Sequence, residues 1–184
     1  KITCITVPGT GKNHSWIVSV ASQVAKGGIF HAKTSYGPPI IYEIVDENGT
    51  PLVYAKTEGL DRMIIKGNNF GKQSTLLLPH VIYESLNFAD GSIQSYEANS
   101  CAISVPHEEI TCLTVQGAGE SYSLAVTIDD QRSVVATSSY NLPEIYSITG
   151  PGSTNGNGDG NESVYLHGKN FGPTAPLSFL DHVT

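Results

Sequence analysis

Apolar side chains recur at every second position through much of this chain. Residues 15–20 read Ser15-Trp16-Ile17-Val18-Ser19-Val20, and residues 121–128 read Ser121-Tyr122-Ser123-Leu124-Ala125-Val126-Thr127-Ile128. Successive side chains of an extended strand point to opposite faces, so each segment gathers its large apolar residues on one side and leaves mostly Ser and Thr on the other. The same reading predicts strands over 40–45, 63–66, 76–83, 93–96, 101–105, 110–115 and 134–140. Helical spacing is nearly absent, because Gly or Pro interrupts most windows that would carry it. Turn signals separate the strands at Gly9-Thr10-Gly11, Asn48-Gly49, Asp90-Gly91 and Gly158-Asp159-Gly160. Many short strands joined by polar, Gly-rich turns predict an all-β sandwich or barrel.

The pattern also repeats at the scale of a domain. Ile2-Thr3-Cys4-Ile5-Thr6-Val7-Pro8-Gly9-Thr10-Gly11 recurs as Ile110-Thr111-Cys112-Leu113-Thr114-Val115-Gln116-Gly117-Ala118-Gly119. In the same alignment Trp16, Val18, Val20 and Gln23 fall on Leu124, Val126, Ile128 and Gln131. Further on, Tyr36-Gly37-Pro38-Pro39-Ile40-Ile41-Tyr42 matches Tyr140-Asn141-Leu142-Pro143-Glu144-Ile145-Tyr146, and Lys66-Gly67-Asn68-Asn69-Phe70-Gly71 matches His167-Gly168-Lys169-Asn170-Phe171-Gly172. One period is about a hundred residues, the size of an immunoglobulin-like sandwich. Residues 37–141 hold a complete period, residues 1–36 the closing half of a preceding one, and residues 142–184 the opening half of a following one. The ends fall midway through a period, as in an excised or processed chain, and neither half is expected to bury its own apolar face.

These motifs resemble the IPT/TIG family of immunoglobulin-like domains across essentially the whole chain. The opening is Pro39-Ile40-Ile41-Tyr42-Glu43-Ile44, and the strand end is Gly67-Asn68-Asn69-Phe70-Gly71. Cys101, Ile110-Thr111-Cys112-Leu113-Thr114, Gly117-Ala118-Gly119 and Ser138-Ser139-Tyr140 follow in family order. Two features depart from the pattern: Gln116 stands where the family usually has Pro, and residues 85–97 read as an added hairpin around Asp90-Gly91. The resemblance implies tandem IPT/TIG-like sandwiches, one complete and two partial. It also implies that Cys101 and Cys112 are disulfide partners; three buried free thiols are the alternative. By the repeat Cys4 corresponds to Cys112, which leaves it as the odd cysteine. A disulfide would place the chain in an oxidising, extracellular compartment. The glycosylation sequons at Asn13, Asn48 and Asn161 point the same way, with Asn48 the poorer acceptor because Thr50 precedes Pro51.

Composition narrows the partners. Ten Lys+Arg against 17 Asp+Glu give a formal charge of -7 and a pI near 5.2, which argues against nucleic acid, whose phosphates need a basic face. The longest apolar runs, such as Leu76-Leu77-Leu78, are too short for direct membrane insertion as a helix. Candidate chemistry is thin. Gly9-Thr10-Gly11-Lys12 lacks the earlier glycine and the following Ser or Thr of a phosphate loop, so it reads as a tight turn. The six histidines are scattered singly, and neither a Gly-x-Ser-x-Gly elbow nor a Cys-x-x-Cys pair is present. Asp129-Asp130 and Glu108-Glu109 sit at strand ends, where adjacent side chains diverge. Asn155-Gly156-Asn157-Gly158-Asp159-Gly160-Asn161-Glu162 resembles half a calcium loop, but Asn155 and Leu166 occupy the places of its strongest carboxylates, so a plain loop is expected. Tyr36, Tyr42, Tyr140 and Tyr146 occupy matched positions and are expected to seal joints between domains.

No catalytic, cofactor or metal site is therefore expected. The leading expectation is a non-catalytic extracellular structural or adhesive protein. In it the tail of one subunit meets the head of the next, a contact that does not close on itself and so builds a fibre or surface array. Some strands before the counterpart of Cys101 would still be missing from such a joint. The alternatives are a window of a longer covalent array, a receptor ectodomain segment, an accessory domain of a secreted polysaccharide-acting enzyme and, against the charge, a DNA-contacting module.

Overall fold

The computed structural model describes residues 1–25, 33–74, 76, 78–86, 93–133 and 136–173. Its strands are β1 (His14–Ser15), β2 (Ser19–Val20), β3 (Gln23–Val24), β4 (Lys33–Thr34), β5 (Ile40–Val45), β6 (Tyr54–Ala55), β7 (Arg62–Asn68) and β8 (His80–Leu86). They continue with β9 (Ile93–Glu97), β10 (Asn99–Val105), β11 (Glu109–Leu113), β12 (Tyr122–Ile128), β13 (Gln131–Arg132), β14 (Ala136–Tyr140), β15 (Glu144–Thr149) and β16 (Tyr165–Lys169). Among the described residues there is no α-helix, only one 3₁₀ turn at Pro151–Ser153.

The middle of the chain is a β-sandwich. One sheet runs β10-β11-β7-β5, and the other runs β6-β14-β12-β8-β9 with β13 paired to β12. All these pairings are antiparallel except β14 with β6. Alternation in β7 turns Met63 and Ile65 inward, and in β11 it does the same for Ile110 and Cys112. From the opposite sheet Val81, Tyr83, Leu124, Val126 and Ile128 meet them in a single hydrophobic cluster. Phe70, just beyond β7, closes this core. Its ring lies over Gly67, where an added Cβ would sit 2.0 Å from the Ile40 carbonyl oxygen and 2.4 Å from the ring. Only hydrogen fits there.

Two sequence expectations are corrected. The predicted strand 15–20 is broken into β1 and β2. Its counterpart β12 stays continuous because β8 pairs with it from Ser123 to Thr127, and among the described residues β1 and β2 have no such neighbour. The strand predicted over 76–83 begins only at His80. Leu76 and Leu78 before it are exposed, so an apolar run there was no sign of burial.

Outside the central sandwich the chain forms three two-stranded ladders: β1 with β4, β2 with β3, and β15 with β16. No described ladder joins residues 1–36 to residues 142–173.

Candidate functional site

The two ends copy parts of the middle down to the register. In the central sandwich β5 pairs with β7 as Ile40↔Asn68, Ile41↔Gly67, Glu43↔Lys66, Ile44↔Ile65 and Val45↔Ile64, with a bulge after Ile41. At the tail β15 pairs with β16 as Glu144↔Lys169, Ile145↔Gly168, Ser147↔His167, Ile148↔Leu166 and Thr149↔Tyr165, with the bulge after Ile145. Gly168 stands to the Glu144 carbonyl and the Phe171 ring as Gly67 stands to Ile40 and Phe70. The Asn69 and Asn170 side chains both donate across the strand pair, to the carbonyls of Pro38 and Leu142, at 2.9 Å each.

The head copies the other half. His14↔Thr34 and Ser15↔Lys33 reproduce Tyr122↔Ser138 and Ser123↔Thr137, and Ser19↔Val24 and Val20↔Gln23 reproduce Thr127↔Arg132 and Ile128↔Gln131. Ala21 and Ser22 have the same left-handed φ angles as Asp129 and Asp130, which suits the tight turn of a two-residue hairpin. The Tyr36 hydroxyl donates to the Val7 carbonyl at 2.6 Å, as the Tyr140 hydroxyl donates to the Val115 carbonyl at 2.9 Å.

Identical local geometry meets opposite burial. Ile65, Phe70, Ile110 and Val126 are each 0% exposed, whereas their counterparts Leu166, Phe171, Ile2 and Val18 are 45%, 45%, 69% and 39% exposed. Trp16, Val20 and Ile148, the counterparts of Leu124, Ile128 and Ile44, are exposed as well. Singly exposed apolar side chains are ordinary, but here the positions of a whole core face are turned to solvent at each end, a contiguous apolar surface. These two faces form the candidate site.

The head is held to the middle by polar contacts. The Gly11 N–H donates to Gln131 Oε1 at 3.0 Å, and Gln131 Nε2 donates to the Tyr36 carbonyl at 2.9 Å. Lys12 Nζ donates to the Asp130 carbonyl at 3.0 Å. The segment that resembles a phosphate loop is thus a turn resting on the β12–β13 hairpin, and Gln131, matched by Gln23, is a joint residue.

The tyrosines are not spread along joints as expected. Tyr140 lies in the core, and with Tyr83, Tyr96 and Tyr122 it forms a ring cluster whose centroids are 5.5–6.1 Å apart. Tyr83 and Tyr140 share a hydroxyl hydrogen bond of 2.9 Å, and the Tyr122 hydroxyl donates to Gln94 Oε1 at 2.7 Å. Burial pushes the phenols of Tyr83, Tyr122 and Tyr140 above their ordinary value. Tyr42 and Tyr146, predicted at joints, are exposed. Nothing in the spacing of Tyr96 or Tyr83 identified this cluster, because it assembles from four strands, β8, β9, β12 and β14.

Cys101 and Cys112 are bonded, with S–S 2.05 Å across β10 and β11, and Cys4 is free and exposed. Asn13, Asn48 and Asn161 are all exposed. In the loop that resembles half a calcium site, Glu162 Oε2 accepts from the Asn157 N–H at 2.7 Å and Asn157 Oδ1 from the Asp159 N–H at 3.2 Å, so the oxygen donors close the loop on itself. The hairpin expected at residues 85–97 is formed by β8 and β9, with Leu86↔Ile93 its last described pair and its turn outside the described residues. Among the described residues no three His, Cys, Asp or Glu side chains converge on a metal-sized site, and no helix is long and apolar enough to cross a membrane. No protein-family model matches this chain, and no curated protein matches it either.

Proposed function

We propose that this chain is a non-catalytic, extracellular structural or adhesive protein built from tandem IPT/TIG-like sandwiches, a repeating block of a cell-surface array or fibre. One observation carries the reading: positions that are core in the middle of the chain are solvent-facing at both ends, on backbone of the same register. A face of that kind is completed by strands from outside its own segment. The Cys101–Cys112 bond and the exposed sequon asparagines support an oxidising, secretory setting.

Sedimentation velocity of the purified full chain over a wide concentration range, with electron microscopy of the same samples, tests the proposal. Mass that grows with concentration and extended particles are expected. A single monomeric species at every concentration would refute self-association.

A further inference from the structure

We infer that the joint between the head and the central sandwich is a clasped, fixed elbow and not a hinge, with Gln131 as its latch. The contact lies inside one chain, so it holds or fails independently of the proposed self-association. Successive domains of a chain move relative to each other by default, through a few linker residues free to change φ and ψ. Here the linker is Gly37-Pro38-Pro39. Two prolines have φ fixed by their rings, and each holds the residue before it in extended backbone. Pro39 is fully buried. The carbonyls on either side of Gly37 are both taken, that of Tyr36 by Gln131 Nε2 and that of Pro38 by Asn69 Nδ2, at 2.9 Å each. Little of this linker is left free to bend.

Two parts of the central sandwich grip one turn of the head. From the β12–β13 turn, Gln131 Oε1 accepts from the Gly11 N–H at 3.0 Å, and the Asp130 carbonyl accepts from Lys12 Nζ at 3.0 Å. The Asp129 carboxylate rests on Gly11, where an added Cβ would sit 2.1 Å from Oδ2. From the end of β7, Gly71 meets the Thr10 methyl, 2.6 Å from where its own Cβ would stand. Gly11 is buried although it belongs to a turn, so its N–H without Gln131 would be a buried donor with no acceptor.

The gripped turn is itself stiff. The Tyr36 N–H donates to the Gly11 carbonyl at 2.9 Å, and its hydroxyl to the Val7 carbonyl at 2.6 Å. His14 Nε2 donates to the Thr10 carbonyl at 2.8 Å. None of the ion pairs among the described residues crosses the joint. Gln131 alone ties both the turn and the linker to the sandwich, which makes it the residue whose loss frees the elbow.

Nuclear magnetic resonance on the full chain in dilute solution tests this. In the wild type one alignment tensor should fit the residual dipolar couplings of both the head and the central sandwich, and the Gly11 amide should exchange slowly. Gln131→Ala should speed Gly11 exchange about ten- to a hundredfold, the effect of losing two hydrogen bonds, and require two tensors. The amides of Tyr36 and Ala25, bonded within the head to Gly11 and Val18, should keep their rates. Gln131→Glu retains the acceptor for Gly11 and loses the donor to Tyr36, so its effect on Gly11 should be smaller. Asp130→Asn should change nothing, because Lys12 meets the backbone and not the carboxylate. Two tensors in the wild type, or Gly11 exchange unaltered by Gln131→Ala, would overturn the clasp. So would equal acceleration of Gly11, Tyr36 and Ala25 in both Gln131 variants, since the residue would then support the fold of the head and not its attachment. Each of these results leaves self-association standing.

Discussion

Replacing Phe70 and Phe171 by alanine, separately, compares one motif in two settings. Both rings follow an asparagine of left-handed φ and precede a glycine of left-handed φ, and both lie over the glycine three residues earlier in the chain. Only their cover differs, since Phe70 is fully buried and Phe171 is half-exposed. Removing a wholly buried phenylalanine costs about 3–5 kcal/mol through lost transfer energy and the cavity left behind. For Phe171 roughly half the transfer energy of about 1.5–3 kcal/mol is at stake and no enclosed cavity forms, so the cost is about 1 kcal/mol and falls on the tail alone. At about 4–8 °C per kcal/mol for a domain of this size, Phe70→Ala lowers the central melting transition by more than ~12 °C while Phe171→Ala leaves it nearly in place. Thermal melts followed by far-ultraviolet circular dichroism in dilute solution measure both. On the proposed self-association the order reverses at high concentration, with Phe171→Ala weakening association in sedimentation and Phe70→Ala acting only through unfolding. Equal loss of the central transition for the two variants in dilute solution would show that the tail face is already covered within the chain, and the open-face reasoning would fall.

The other predictions concern the central sandwich. Removing the Cys101–Cys112 bond by the double change Cys101→Ala and Cys112→Ala frees a short loop and costs about 2–4 kcal/mol, seen as a lower urea midpoint with the same β spectrum. A midpoint unchanged by the double substitution would contradict a bond that ties β10 to β11. Burial raises the phenol pKa of Tyr83, Tyr122 and Tyr140 above the ordinary 10.0, so above about pH 10 the unfolded chain releases protons that the folded chain keeps. Stability contributed by these phenols is fully present below pH 10 and lost as pH rises beyond it, and phenolate absorbance from them should grow only as the near-ultraviolet dichroism collapses. Phenolate signal from all three with native dichroism intact would contradict the cluster's burial. Gly67→Ala places a methyl against the Ile40 carbonyl and the Phe70 ring, and it should depress the central melting temperature as strongly as a cavity mutation, whereas Ala at Gly49, where a Cβ meets nothing within 4 Å, should cost only the strain of a left-handed residue, roughly 1 kcal/mol.

Alternation alone determined that the chain is all-β, placed β5 at its observed bounds and picked out the inward residues of β12, because a strand's side-chain period is local and depends on no partner. The repeat was equally legible. The glycines, asparagines and tyrosines that define it satisfy backbone needs within a few residues or across a single strand pair, and the two copies of each ladder accordingly share a register. Tertiary structure decided everything that depends on a neighbour. It broke residues 15–20 into two short pieces, which have no counterpart of β8 beside them among the described residues, left the apolar Leu76 and Leu78 in solvent, and drew Tyr83, Tyr96, Tyr122 and Tyr140 into one cluster from distant segments. Above all it decided which copy of a repeated position is core: Ile110 and Ile2 have the same sequence context, and among the described residues only the first has an opposing sheet. Burial belongs to the pair of surfaces that meet, so a single strand's sequence can specify the face it would bury but not whether anything is there to cover it.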